Sequence, residues 1–344
     1  MEQKKTRTEI KELGQFALID TLTSNFRSTK EHTIKGVGDD AAVISISEDE
    51  AMLLSTDMMI EGIDFDLTYF PPKHLGYKVV TRGISDIVAM NAIPEQITIS
   101  IGVSAKISVE VLRDFYQGVR FACEEAEVDL VGGDTSASVT GFVINITAVG
   151  RQKKNKISYR SGAKKNDLIC LTGNLGAAYM GLRLLQRERY VLSGGAKIEP
   201  KFEGYEYLLE KYLKPRARYD VVDSLEELGL VPTSMIDVTD GLSSELLQIA
   251  KASSCGVRIY LDRIPLAKQT NALADEMNLN SVTAAMNGGE DYELIFTLPL
   301  EKREEILGIG QIDIIGHITD KEQGCVLVTS AGDEIKLEAQ GFNN

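Results

Sequence analysis

Carboxylates set beside glycines recur along this chain, and each group adjoins an apolar run of strand length. Gly38-Asp39-Asp40 leads into Ala41-Ala42-Val43, and Ser55-Thr56-Asp57 lies inside the run Met52 to Ile60. Gly132-Gly133-Asp134 follows Leu130-Val131, Asp237 and Asp240 stand on either side of Val238-Thr239, and Gly288-Gly289-Glu290-Asp291 precedes Leu294 to Leu298. Any one of these reads plainly as a solvated turn, since Gly and Asp are ordinary turn residues. Asp57, in its apolar surroundings, needs neighbouring hydroxyls or a metal to satisfy it. Gathered at one cleft, so many carboxylates would raise one another's pKa unless cations favoured the ionised forms. Magnesium suits that task, because it takes hard oxygen ligands and completes its shell with water and phosphate. Several magnesium ions in one site point to phosphoryl transfer, where the protein positions the reactants and neutralises charge.

Other chemistries fit less well. Thr172-Gly173-Asn174-Leu175-Gly176 follows an apolar strand but does not meet the GxGxxG spacing, and no Gly-Lys-Ser or Gly-Lys-Thr occurs. Asp237 to Gly241 fails the acid spacing of an EF-hand. With only three histidines, no Ser/His/Asp set is apparent. The four cysteines, Cys123, Cys170, Cys255 and Cys325, are far apart and form no CxxC pair, which suggests reduced core thiols and no structural zinc.

A chain of 344 residues, 43% hydrophobic and 26% charged, has the composition of a globular protein. Its length suggests two domains of about 150 residues each. The 37 basic and 51 acidic residues give a formal charge of -14, which argues against broad contact with nucleic acid or anionic lipid. A charged N-terminus and the lack of an apolar run long enough to span a bilayer lead to an expectation of a cytoplasmic protein.

The elements that must position these groups can be read from periodicity. Helices are expected over 8–26, 74–92 and 109–127, and strands over 41–46, 51–60, 96–103 and 141–150. A short strand is expected to end at the Gly132-Gly133-Asp134 turn. This order describes an α+β N-terminal domain, a mixed sheet with helices on one face whose other face a second protomer would cover. Lys153 to Asn166 reads as a polar crossover, so the domains are expected to be 1–152 and 153–344, the second an α/β domain with two helical segments in 179–213. Asp237 ends a strand, and Leu242, Leu246 and Ile249 begin a helix whose free N–H groups favour phosphate nearby.

Seven motifs in order carry a resemblance: Gly36 to Ala42, Ser55-Thr56-Asp57, Ser85-Asp86-Ile87-Val88-Ala89-Met90, Gly132-Gly133-Asp134-Thr135, Tyr159-Arg160-Ser161-Gly162-Ala163, Asp237 to Leu242, and Gly288 to Leu294. Together, over about residues 12 to 342, they resemble the thiamine-monophosphate kinase family of the aminoimidazole ribonucleotide synthetase-like superfamily. The resemblance implies ATP-dependent and magnesium-dependent phosphorylation of thiamine monophosphate to thiamine diphosphate without a phosphoenzyme. It also implies a homodimer formed through the N-terminal domain, with the C-terminal domain closing over the nucleotide. Carried over by position, Asp39, Ser55, Thr56, Asp57, Asp86, Asp134, Asp237 and Asp240 would bind magnesium. Asp57, Asp134 and Asp240 would be catalytic, Gly133, Asp134, Arg160 and Thr239 would meet ATP, and Glu290 would meet the acceptor. The fork of Arg160 suits polyphosphate oxygens.

Two departures bear on the acceptor. Where the family usually has histidine after the Ser-Thr-Asp strand, this chain has Asp64, and its C-terminal segment keeps only Phe342 of the usual aromatic residues. Asp64 is expected at the pocket rim, attracting the cationic thiazolium, and Phe342 is expected to stack on a substrate ring. An alternative reading keeps the ATP residues and changes the acceptor, as in an aminoimidazole ribonucleotide synthetase-like ligase acting on another small phosphorylated substrate. A nucleotide or metal binder without catalysis is the third.

Overall fold

The computed structural model describes residues 10–193 and 200–339. The first half runs α1 (Ile10–Thr23), β1 (Thr33–Lys35), β2 (Ala42–Ser45), β3 (Glu50–Ile60), α2 (Pro72–Val88), β4 (Ile93–Val103), α3 (Val109–Ala126), β5 (Asp129–Ala137) and β6 (Val143–Lys153). The second half continues with β7 (Leu168–Thr172), α4 (Ala177–Ser193), α5 (Glu206–Leu213), α6 (Tyr219–Glu227), β8 (Ser234–Asp237), α7 (Leu242–Ser253), β9 (Gly256–Tyr260), α8 (Lys268–Glu276) and α9 (Ser281–Asn287). It ends with β10 (Leu294–Leu298), α10 (Arg303–Leu307), β11 (Ile312–Thr319), β12 (Cys325–Val328) and β13 (Glu334–Lys336). None of the described helices is long and apolar enough to cross a membrane.

Two sheets result, one from each half of the chain. The first has the order β1-β2-β3-β6-β4-β5 and is antiparallel apart from β4 and β5. The second has the order β13-β12-β9-β11-β7-β10-β8, with β9 and β12 its one parallel pair among the described strands. In the first sheet the alternation is as the sequence reads: Ile97, Ile99 and Ile101 on β4 and Ile144, Ile146 and Ala148 on β6 are buried. Helix α2 packs on this side, and α3 packs on α2. The two helices meet backbone to backbone. A Cβ on Gly118 would lie 1.8 Å from the Lys73 carbonyl oxygen, and one on Gly76 would lie 1.9 Å from that of Phe115.

Among the described residues, no helix covers the other face of this sheet. Thr56, Met58 and Ile60 alternate outward on β3, with Met58 52% exposed, and edge strand β5 is exposed throughout. The expectation of a strand ended by a Gly-Gly-Asp turn is corrected here, because β5 runs straight through Gly132, Gly133 and Asp134 to Ala137. The reason is steric. A Cβ on Gly133 would sit 1.9 Å from the Ile99 carbonyl oxygen, so glycine lets β5 lie close against β4.

The two halves share one core, and the second half has two further apolar clusters of its own. One buried apolar cluster joins Val79, Val80, Ile84 and Ile146 to Tyr212, Val221, Leu225, Met235 and Phe296. Helix α2 lies at its centre, with the first sheet and α3 on two sides and α5 and β8 of the second half against it. Behind β10, Asp291 Oδ2 accepts from the Gly176 N–H at 2.8 Å and Oδ1 from the Ala178 N–H at 3.2 Å, satisfying free donors where α4 begins. Burial pushes the Asp291 carboxyl up to about 7, against the opposing pull of those two N–H groups.

Two predictions follow from this packing. Gly118→Ala lowers stability by about 1–3 kcal/mol through overpacking at the α2–α3 crossing, as measured by urea unfolding; an unchanged midpoint would contradict the close approach. For Asp291 the folded pKa is raised, so its contribution is complete below about pH 4 and is lost as pH rises through 7. Asp291→Asn is therefore more destabilising at pH 5.5 than at pH 8.5, by about 2 kcal/mol. Equal penalties at the two pH values would refute this.

Candidate active site

Helix α2 brings Lys78, Arg82 and Asp86 to one face, since residues four apart lie above one another on a helix. Ser85 lies on the same side. Each meets a partner from another element. Lys78 Nζ donates to Glu290 Oε2 at 2.8 Å, and Arg82 donates from Nε to Asp57 Oδ1 at 3.2 Å and from Nη1 to Asp64 Oδ1 at 3.0 Å. Ser85 Oγ donates to Asp237 Oδ2. The stripe thus touches β3, the loop after β3, the end of β8 and the loop before β10.

At its far end, Asp86 joins Asp40 and Asp237. Each offers one carboxylate oxygen, and the three oxygens lie within 4.8 Å of one another. Burial pushes the Asp237 carboxyl up to about 7, helped by Asp40 and opposed by the Ser85 hydrogen bond and Arg160. Burial also raises Asp86 well above the usual carboxylate range, and the charges of Asp57, Asp237 and Asp40 raise it further. The Oδ2 atoms of Asp40 and Asp57 are buried without a hydrogen-bond partner among the described residues. Hard oxygen donors, mutual repulsion and orphaned oxygens together fit a divalent cation such as magnesium.

Cations stand on both sides of this centre. Arg160 donates to Asp40 Oδ1 from Nη2 at 2.6 Å and from Nε at 3.2 Å, and its backbone N–H donates to Asp39 Oδ1 at 3.0 Å. Asp39 Oδ2 faces Lys35 Nζ at 3.2 Å. Asp39 thus secures the turn, and Asp40 takes the place in the carboxylate centre where Asp39 is expected from the sequence. On the other side, Arg82 lies near Asp57, Asp64 and Glu290 and lowers the pKa of Asp240, which burial raises. Lys78 is fully buried over the Tyr212 ring, 3.9 Å from its centroid. Burial lowers its pKa and Glu290 acts against that.

The remaining expected residues divide. Ser55 is buried on the helix side, donating to the Gly83 carbonyl at 3.2 Å. Thr239 Oγ1 lies 3.5 Å from Glu245 Oε1, which also accepts from the Asp240 N–H at 2.9 Å. Thr56 points to the helix-free face, where its hydroxyl donates to the Ile146 carbonyl at 3.2 Å and meets Asn145 and Thr147. Asp134 pairs in register with Ser100 and through it with Asn145, so it shares that face. It stands exposed on β5, apart from the Asp40 group, and Gly133 is the close-approach residue beside it. Phe342 lies outside the described residues.

Arg82, Lys78 and the buried Glu245 are site residues that the sequence reading did not single out, and Asp40 was named there only as part of the Gly38-Asp39-Asp40 turn. The spacing 78, 82, 86 was the available signal. Asp64 is at the cleft but is not a bare carboxylate at its rim, because Arg82 holds one oxygen and the Ile60 N–H holds the other at 2.8 Å.

Comparison with known proteins places this geometry. Residues 38–152 match the AIR synthase related protein, N-terminal domain, and residues 165–328 match the AIR synthase related protein, C-terminal domain. The thiamine-monophosphate kinase of Buchnera aphidicola subsp. Schizaphis graminum is 34% identical over 339 residues, covering 97% of this chain and 99% of the relative. That of Aquifex aeolicus is 30% identical, covering 97% and 99%. Among solved structures, AaThiL complexed with AMPPCP and TMP superimposes with a TM-score of 0.82 at 28% identity, covering 98% of this chain and 99% of that one. Two family domains in order, and identity of this level over nearly the full length, mean that the chain belongs to the thiamine-monophosphate kinase family.

Proposed function

We propose that this protein transfers the γ-phosphoryl group of ATP to the phosphate of thiamine monophosphate, giving thiamine diphosphate and ADP. The observation that carries this reading is the buried centre of Asp40, Asp86 and Asp237, flanked by Arg160 on one side and by Arg82 and the Lys78–Glu290 pair on the other. A donor and an acceptor that both bear phosphate need cations at both ends of an acidic cleft. An acceptor phosphate oxygen forms the new bond to the γ-phosphorus, and the bond from that phosphorus to the β-bridging oxygen breaks with ADP as leaving group.

Asp40, Asp57, Asp86, Asp237 and Asp240 would hold magnesium, with Ser55 beside them. Bound there, the ions supply the positive charge that spreads over the transferring phosphoryl group. The rest falls to the chain itself. Arg160 presents its fork to the polyphosphate on the Asp40 side, beside Thr239. Glu290 faces the acceptor, paired with Lys78, its carboxylate oxygens suited to accept from a cationic or amino-bearing ring. The buried walls around Tyr212 and Tyr292 exclude water that would otherwise divert the phosphoryl group.

The working unit in this reading is a homodimer in the cytoplasm. Support comes from the helix-free face of the first sheet, with Met58, Ile60 and the exposed strand β5 on it. Gly133, Asp134 and Thr56 border or lie on that face, so their part in binding ATP and metal is proposed together with the pairing. Large apolar side chains exposed on such a face, Met58 and Ile60 among them, mark a surface for a partner.

Purified protein incubated with ATP, magnesium and thiamine monophosphate is expected to form thiamine diphosphate, resolved by chromatography, in step with ADP. ATP consumption only with a different phosphorylated acceptor would favour the ligase reading instead. Asp237→Asn and Asp240→Asn are each expected to slow turnover by roughly 100-fold or more while the protein stays folded by circular dichroism; near-normal turnover in both would remove the metal centre from the mechanism. Sedimentation is expected to give a dimer, and an active monomer at micromolar concentration would separate Asp134 and Thr56 from any role that needs a partner.

A further inference from the structure

Arg82 stands at the acceptor end of the cleft. It is the cation between the carboxylate centre and the acceptor side, with Asp57, Asp64, Asp240, Glu290 and the Tyr292 ring around it. The other nearby cations are committed: the fully buried Lys78 to Glu290, and Arg160 to Asp40 through two hydrogen bonds. Arg82 is bound through Nε and Nη1 only, and its Nη2 donates to no described residue. Its side chain keeps 24% of its surface open, so one edge of the guanidinium can reach a ligand.

We propose that Arg82 receives the phosphate of the acceptor, with Asp64 as the residue that positions it; this deepens the thiamine monophosphate reading and rests on it. The two anchors are unequal. Asp64 is fixed from behind by the Ile60 N–H and has no place in the carboxylate centre. Asp57 has a second oxygen that is buried and unpartnered, so it is the carboxylate a metal ion would draw away. Metal binding therefore frees the Nε edge of Arg82 while Asp64 keeps the guanidinium in place. A phosphate then restores the lost charge pairing with a fork that matches its oxygens. Arg160, beside Asp39 and Asp40, is left to the ATP side.

This changes the role of Asp64. Paired with Arg82 it forms a neutral unit, so it neither repels the acceptor phosphate nor offers a free carboxylate to the thiazolium. It sets where the phosphate sits.

Calorimetry with magnesium and a non-hydrolysable ATP analogue tests the assignment, using thiamine monophosphate and unphosphorylated thiamine as probes on folded wild type, Arg82→Gln, Arg82→Lys and Asp64→Asn. Arg82→Gln is expected to weaken thiamine monophosphate by roughly 10- to 100-fold and to leave thiamine within about twofold. Arg82→Lys, which keeps the charge and loses the fork, and Asp64→Asn, which loosens it, are expected to give smaller losses for the phosphorylated probe alone. Without nucleotide, manganese titration is expected to show tighter metal binding in Arg82→Gln, because Asp57 no longer has to give up a cation. Unchanged affinity for thiamine monophosphate in Arg82→Gln, or equal loss of both probes, overturns the inference while leaving the kinase reading intact. Wild type that binds the analogue and metal but neither probe overturns the kinase reading, and this inference with it.

Discussion

A charge inside a protein must be matched by an opposite charge, by hydrogen bonds or by a metal, and helix α2 places that demand at the centre of this molecule. The helix is buried on nearly all sides, yet it carries Lys78, Arg82 and Asp86 along one stripe. Their partners come from both halves of the chain: Asp57 and Asp64 from the first, Asp237 and Glu290 from the second. The ionic pairs and the shared apolar core therefore register the two sheets on the same helix. Removing one partner would leave an uncompensated buried charge, which costs far more than losing an exposed ion pair.

The same economy of charge links stability to function. Without ligands, Arg160 and Arg82 partly neutralise the carboxylates, and burial shifts Asp86 and Asp237 toward their protonated forms. In the proposed reaction, metal ions would take the place of protons and of the Arg82–Asp57 contact, and a phosphate group would take the place of that carboxylate on the arginine. Arg82 and Asp57, their side chains 24% and 21% exposed, are the pair of the cleft most open to such an exchange.

Much of this was readable in the sequence, and the misses have physical causes. The period-2 runs on β4 and β6 and the helical spacing of α2 and α3 gave the first layer, because one face of each is strictly apolar. The glycines at 132 and 133 read as a turn, since a sequence does not distinguish a glycine needed for chain reversal from one needed for close approach to a neighbouring strand. Which of Asp39 and Asp40 turns inward depended on the backbone N–H of Arg160, 121 residues away in sequence. The stripe at 78, 82 and 86 was visible as spacing, but its meaning lay in loops that fold over it. Asp64 showed as a carboxylate where the resemblance leads one to expect histidine, and only the fold supplied its arginine.

The apolar cluster shared by the two halves has a consequence for the handling of the chain. Two sequence domains normally allow a gene to be cut, shuffled or permuted at the seam. Here Tyr212 and Phe296 of the second half bury the underside of a helix that belongs to the first, and neither half can be made alone without baring that surface to water. A cut at the seam would therefore leave the second half its own two clusters and strip the first half of the surface that closes its core.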